Sequence, residues 1–564
     1  MPTLSLFQLL PLHVAELIVN HVACSNRLLA NGITSDSAEH KLLLLPLMWV
    51  CHNLRVVSSL SFYRANTVKI KGDTYEKDAA QYWWWSKPLK KFYPTNYHLA
   101  REIHILLDKA GFFAGRTLKA LSQAPFDGCA FPQARKLIFT FYPCLAQGGE
   151  APEAAEIGAN IRALVGRIKQ MAPLLNEIEV VGTSNPANLD LEDRHINSFI
   201  LQIIPLVTRV VYKASELNIP LNLPTVNMSR LVHIDVGILG SMEFNYQEQE
   251  KSAMHLVRQS AATLQSLTIG LHSLEGLSGL IKETNDNFVF YPQMRVLKLG
   301  YHWGLAKFDR MAVAQAVPFP RLRQLTVAGT YPFGDDILFR GNEDTLELLD
   351  IELDKNMVAM LKRFSVFTAV SHPRLRCVKT RLSYSPALDH LETASAQLRF
   401  LLDIAPAAAI REMRGVSFWL PSSLPVFSGY IDIQLLSLPD TRLTLWNTIT
   451  LVNSLPLLSE IHSPSPIIGT LPAEATMDML PEFVISNHAS TNKTFRCWRV
   501  TYEEKWVSKG ETVSCVLLLA LACPSFDHVL TNSPNRHLFM VHMKEIMNTD
   551  IFRPYASRLQ PLLL

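Results

Sequence analysis

His98 and His104 bracket Glu102, a set that could bind a metal ion or move a proton if one element presented all three together. On the short helical stretch read there, a separation of six turns the two imidazoles to different faces, so one helix cannot offer both to one metal. Surface histidines fit that spacing. Asp335-Asp336 and Glu343-Asp344 stand in Gly-containing loops, where solvated turn carboxylates are commoner than a general acid and its base. Ser278 in Gly276-Leu277-Ser278-Gly279 has the wrong glycine spacing for a nucleophile elbow, and the chain has no Gly-rich phosphate loop, GxGxxG or HExxH. The eight cysteines, Cys24, Cys51, Cys129, Cys144, Cys377, Cys497, Cys515 and Cys523, form no CxxC pair. They read as buried thiols in a reducing compartment. The expectation is a protein with no catalytic residue, metal or cofactor.

Composition narrows the partners. Fifty-three Lys and Arg against 50 Asp and Glu leave a formal charge of +3, too little excess to neutralise a phosphate backbone, so no nucleic acid is expected. The segment Tyr82 to Tyr93, YWWWSKPLKKFY, could stack on a ligand or lie at a membrane surface. Without wider positive charge, Trp83 to Trp85 read better as a wedge between the N-terminal helices and the first repeat. The start, MPTLSLFQLLPLHVAELIVNHV, is an amphipathic helix without a signal peptide's basic opening. The longest apolar run, Val516 to Cys523, stops at Pro524, well short of the roughly 20 residues of a membrane span. A soluble cytoplasmic or nuclear protein without membrane contact is expected.

With 564 residues, 48% of them hydrophobic and 18% charged, the chain must fold into several domains or one stack of repeats. A repeat is visible. Apolar residues recur at plus three and plus five: Leu175, Ile178, Val180; Leu231, Ile234, Val236; Leu264, Leu267, Ile269; Met294, Leu297, Leu299; Leu322, Leu325, Val327; and Leu346, Leu349, Ile351. Weaker copies are Leu375 and Val378; Met413, Val416 and Phe418; and Phe495, Trp498 and Val500. The period is irregular, about 30 residues. Prolines at 132, 173, 292, 320 and 373 precede the anchors, ending a helix and starting an extended segment. Helical periodicity lies between, as in Ile157, Ile161, Leu164, Val165, Ile168 and Met171. A strand-and-helix unit cannot bury its own apolar face, so the units must stack. The predicted fold is α/β, an irregular solenoid with a parallel sheet on its concave face, preceded by a small N-terminal helical bundle.

FPRLRQLTV at Phe319 to Val327 and YPQMRVLKL at Tyr291 to Leu299 resemble leucine-rich repeats, although the Asn or Cys that family places after the strand is mostly missing. Near the start, LPLHVAELIVNHV with LMWVCHNLRVVSS resembles the F-box, a helical motif that docks on the Skp adaptor of cullin-type ubiquitin ligases. Leu10-Pro11 and Val50-Cys51 to Leu54-Arg55 carry the match; the segment between is longer than usual, and Leu54 stands where the family often has Trp. The resemblance implies an F-box-like bundle over 1–65, a connecting helical segment over 66–130, repeats over 131–510 and a cap over 511–564. It further implies a substrate-recognition subunit of an SCF-type ligase, partnered by a Skp-type adaptor, its cullin complex and a protein substrate. Adaptor contact would fall to Leu10, Pro11, Leu12, Ile18, Val50 and Leu54; substrate contact to Lys298, Tyr301, His302, Thr326 and Glu352. The alternative is an interaction scaffold unrelated to ubiquitin, whose first helices only cap the solenoid.

Overall fold

Repeat after repeat opens on one hydrogen-bonded turn. Phe131-Pro132, Ala172-Pro173, Ile204-Pro205, Tyr291-Pro292, Phe319-Pro320, His372-Pro373, Leu455-Pro456 and Cys523-Pro524 each begin one, the carbonyl before proline accepting from the N–H three residues on at 2.9–3.3 Å. Proline suits the second position of such a turn, where its fixed φ costs nothing and no N–H is needed. The residue before proline is buried in all eight, so the turn also pins the unit to the core.

The computed structural model describes residues 14–15, 17–18, 54, 57, 67–71, 100–108, 115–122, 131–142, 154–182, 192–212, 230–236, 246–271, 279–281, 288–301, 317–328, 338–339, 341–353, 372–382, 409–415, 429–438, 441, 443–464, 466–501, 509–531 and 536–563. The chain divides into two compact units, Met1–Gly270 and Leu271–Leu564.

In the first, β1 (Thr67–Lys71), β2 (Glu102–Asp108), β3 (Lys136–Tyr142), β4 (Glu177–Gly182), β5 (Arg209–Tyr212), β6 (His233–Val236) and β7 (Ser266–Leu271) pair in chain order, all parallel. Its described helices are α1 (Arg116–Leu121), α2 (Ala154–Met171), α3 (Glu192–Ile203) and α4 (Tyr246–Gln259). In the second, β8 (Val296–Tyr301), β9 (Gln324–Ala328), β10 (Leu348–Leu353), β11 (Cys377–Leu382), β12 (Glu412–Arg414), β13 (Leu435–Ser437), β14 (Glu460–Pro464), β15 (Cys497–Thr501) and β16 (His528–Thr531) do the same. Here α5 (Leu445–Ser454), α6 (Leu480–Asn487), α7 (Lys509–Ala522), α8 (Arg536–Met547) and α9 (Ala556–Leu559) are described. Helix α7 contains the apolar run Val516 to Ala522 and is packed by α5, α6, α8 and α9, which is why a helix apolar all round is stable here.

One carbonyl ahead of each strand joins neighbouring repeats. Arg101 O accepts from Arg135 N (2.8 Å) and Lys136 N (3.1 Å); Arg323 O accepts from Glu347 N (2.8 Å) and Leu348 N (2.9 Å). The ladder then fixes register, with Leu297, Leu325, Leu349, Val378, Met413 and Leu436 in one buried row. Alternate positions stay partly exposed, as the buried-and-exposed alternation of β6, β9, β12 and β14 shows. A parallel sheet covered on both faces would bury both sets, so one face of each sheet is open.

Several expectations change. Residues 67–71 and 102–108, in the segment read as connecting helices, are strands, and β16 carries the ladder past 510. Met413 is the second anchor of its unit, not the first: Ile410 precedes it, and the strand stops at Arg414 because Gly415 follows in the left-handed region (φ 73°). A Cβ there would lie 1.8 Å from the Thr380 carbonyl oxygen, so only glycine lets β12 approach β11. Triplets beginning at Ala134, Val207, Ile433 and Leu458 follow the same plus-three rule and escaped the sequence reading, the last with polar Ser463 at its third place.

Two substitutions test this account in urea unfolding of the whole chain. Leu325→Ala should cost about 2 to 5 kcal/mol through lost burial and an unfilled cavity. Gly415→Ala should cost at least about 1 kcal/mol from its backbone conformation alone, and more from the contact with Thr380.

Candidate functional site

The open faces differ between the units because their charges are differently engaged. On the first, register places Glu102, Lys136, Glu177 and Arg209 side by side on consecutive strands. Lys136 Nζ reaches Glu179 (2.6 Å), Glu177 (3.5 Å) and Glu102 (3.9 Å), and Arg209 Nη1 reaches Glu177 (3.5 Å). Burial pulls the Lys136 ammonium down, but the Glu179 hydrogen bond and the surrounding carboxylates outweigh it and hold its pKa above the ordinary value. His104 lies in β2, not on a helix; its Nε2 is 2.8 Å from Thr140 Oγ1. His98 is outside the described residues. These groups neutralise one another.

On the second unit three rows run across β8 to β12. Residues just ahead of the strands, Arg295, Arg323, Glu347, Arg376 and Arg411, are joined through their backbone bonds. Next come Val296, Gln324, Leu348, Cys377 and Glu412, continued on β13 by Leu435. Two residues further stand Lys298, Thr326, Asp350, Lys379 and Arg414. Among the described residues these rows contain two ion pairs, Arg323 with Glu347 at 3.8 Å and Arg414 with Glu412 at 3.0 Å. Among the described residues no carboxylate pairs with Arg295, Lys298, Arg376, Lys379 or Arg411.

A third group, on β14 to β16, contains the residue types of a nucleophilic site. Cys497 lies beside Glu460 in register, and His462 Nε2 is 2.5 Å from Glu460 Oε1, with Arg499 Nη2 at 3.4 Å. The His462 hydrogen bond, opposed by burial and aided by Arg499, holds the Glu460 carboxyl below its ordinary pKa. Burial, reinforced by Glu460, pushes the Cys497 thiol up to about 12. An activated cysteine needs the opposite environment, a nearby cation and a lowered pKa. Cys377 is likewise pushed to about 11, by burial and Glu412, and Cys523 to about 12 by burial. Among the described residues no group of His, Cys, Asp and Glu could hold a metal, and no helix is long and apolar enough to cross a membrane.

Of the sequence-predicted contact residues, Lys298 is exposed, Thr326 is half-exposed, and the two are ladder neighbours. Tyr301 and Glu352 belong to β8 and β10, with side chains outside the described residues, as is all of His302. Leu10, Pro11, Leu12 and Val50 also lie outside them. Ile18 is half-buried, and Leu54 is 2% exposed. Sequence reasoning missed the arginine row, although its signal is plain: Arg follows the first apolar anchor in Met294-Arg295, Leu322-Arg323, Leu375-Arg376 and Ile410-Arg411. It also missed two asparagines at the turns. Asn492 Nδ2 donates to Val452 O (3.0 Å) and Leu455 O (2.8 Å), and Asn342 Nδ2 donates to Leu338 O (2.7 Å), satisfying buried carbonyls from before the strand.

No known protein family and no curated protein matches the sequence. Among the solved structures that align with it, the Rad7 and Elc1 complex in yeast does so over 88% of this chain and 90% of its own, at 13% identity and a TM-score of 0.29.

The thiol environments give a measurable outcome. In the folded protein at pH 8, Cys377, Cys497 and Cys523 should react with iodoacetamide far more slowly than free cysteine, and reach its rate once unfolded. Fast native labelling of Cys497, located by mass spectrometry, would show a thiolate that this geometry does not support.

Proposed function

We propose that this chain is a non-catalytic substrate-recognition subunit of an SCF-type ubiquitin ligase, taking a target protein on the open face of its repeats and a Skp-type adaptor on its N-terminal helices. The open sheet face carries the reading: strand after strand exposes polar and charged side chains there, while the apolar rows are enclosed on the other side. Such a surface suits recognition of a macromolecule. The adaptor half rests on the F-box resemblance of Leu10-Pro11 and Val50 to Arg55. It is supported by Leu17, which is 66% exposed on a helical segment whose Ala15 is buried, leaving an apolar side chain for a partner.

A second reading, a scaffold whose first helices only cap the repeats, is favoured by Leu54 and Val57, 2% and 7% exposed and therefore engaged within the chain. Leu54 is accordingly a poor probe of adaptor contact, since its truncation would open a cavity whether or not an adaptor binds.

A pull-down with a purified Skp adaptor separates the readings. Wild type should bind, and a Leu10→Ala, Pro11→Ala, Leu17→Ala variant with an unchanged melting temperature should lose at least tenfold in affinity. If wild type fails where a known F-box protein succeeds, the ligase reading falls and the scaffold remains.

A further inference from the structure

The open face of β8 to β13 has a pattern that specifies a partner beyond "protein". Its middle row is largely apolar and half-exposed, with Val296, Leu348, Cys377 and Leu435. Arg295, Arg376 and Arg411 line one side and Lys298 and Lys379 the other, all without a carboxylate partner among the described residues. On the first unit the cations Lys136 and Arg209 stand instead in the middle row itself and are held by Glu102, Glu177 and Glu179. Cations on both sides of an apolar strip, unpaired among the described residues, suit a ligand with anionic groups and apolar groups in alternation.

We propose that this face binds an extended acidic segment of a partner protein, running across the strands with apolar side chains on the middle row and carboxylates between the flanking cations. The inference rests on the reading that the open face is the recognition surface, and names its ligand. Six strands spaced about 4.8 Å apart span roughly 24 Å, the length of about seven extended residues. Charge complementarity of this kind speeds encounter and sets register along the face. A nucleic acid fits less well: Glu347, Asp350 and Glu412 break the cations at β10 and β12 into separate groups, which spaced carboxylates can match and a continuous phosphate backbone cannot, and the apolar strip gives it nothing.

The test is fluorescence anisotropy on the full chain with a short fluorescein-labelled peptide alternating Glu and Val, its counterpart with Gln for Glu, and single-stranded oligo-thymidine. The Glu peptide should bind, weaken steeply with salt, and exceed the Gln peptide and the oligonucleotide by at least tenfold. Arg376→Glu with Lys379→Glu should lower its affinity at least tenfold, whereas Lys493→Glu, on an exposed turn elsewhere, should not. Equal binding of the Glu and Gln peptides, or indifference to the double charge reversal, overturns the proposal; tighter binding of oligo-thymidine replaces it with a nucleic-acid site. The peptide comparison and salt series need only wild type, so they decide even if the double variant misfolds. If the acidic peptide fails while the adaptor pull-down succeeds, the recognition-subunit reading stands and only this ligand falls.

Discussion

A parallel strand has no stable existence here without the next repeat. Its amides and carbonyls are satisfied only by a neighbouring strand, and its apolar side chains only by a neighbouring row. The carbonyl that accepts two N–H groups from the following unit, as at Arg101, Arg323 and Arg496, sets where each strand starts relative to the last. Register then follows without adjustment, and the apolar residues three and five places after each anchor fall into buried rows. Loops between repeats can vary in length because neither bond depends on them.

That constraint also decides where chemistry can lie. A strand in such a ladder shows only alternate side chains, so charged groups meet across strands, in rows. Where the charges along a row alternate in sign, as Glu102, Lys136 and Glu177 do, they neutralise one another. Where one sign repeats, as in Arg295 and Arg323 and again in Arg376 and Arg411, a field remains for a ligand. Cys497, His462 and Glu460 come together by the same geometry, yet burial and the nearby carboxylate hold the thiol protonated. Proximity alone does not make a nucleophile.

The buried rows were legible because burial leaves a mark in residue type: Leu297, Leu325 and Leu349 must be apolar, and the prolines before them mark the turns. The reading went astray where a polar or small residue takes a buried place. Ser463 receives the Trp498 indole N–H at 2.9 Å and so replaces an aliphatic side chain, and Gly415 substitutes close backbone approach for a third anchor. No hydropathy pattern announces either.

Length, composition and the plus-three, plus-five period by themselves determined a folded α/β repeat chain with parallel strands and no recognisable catalytic motif, since these depend on local periodicity and residue type. Which charges share a row, which are neutralised and which remain free was decided only by the tertiary structure. Arg376 is adjacent to Cys377 in sequence, but it is the stacking of repeats, some 30 residues apart, that places it between Glu347 and Arg411. Pair energies between charges depend on distance in space, which a sequence of irregular repeats does not state.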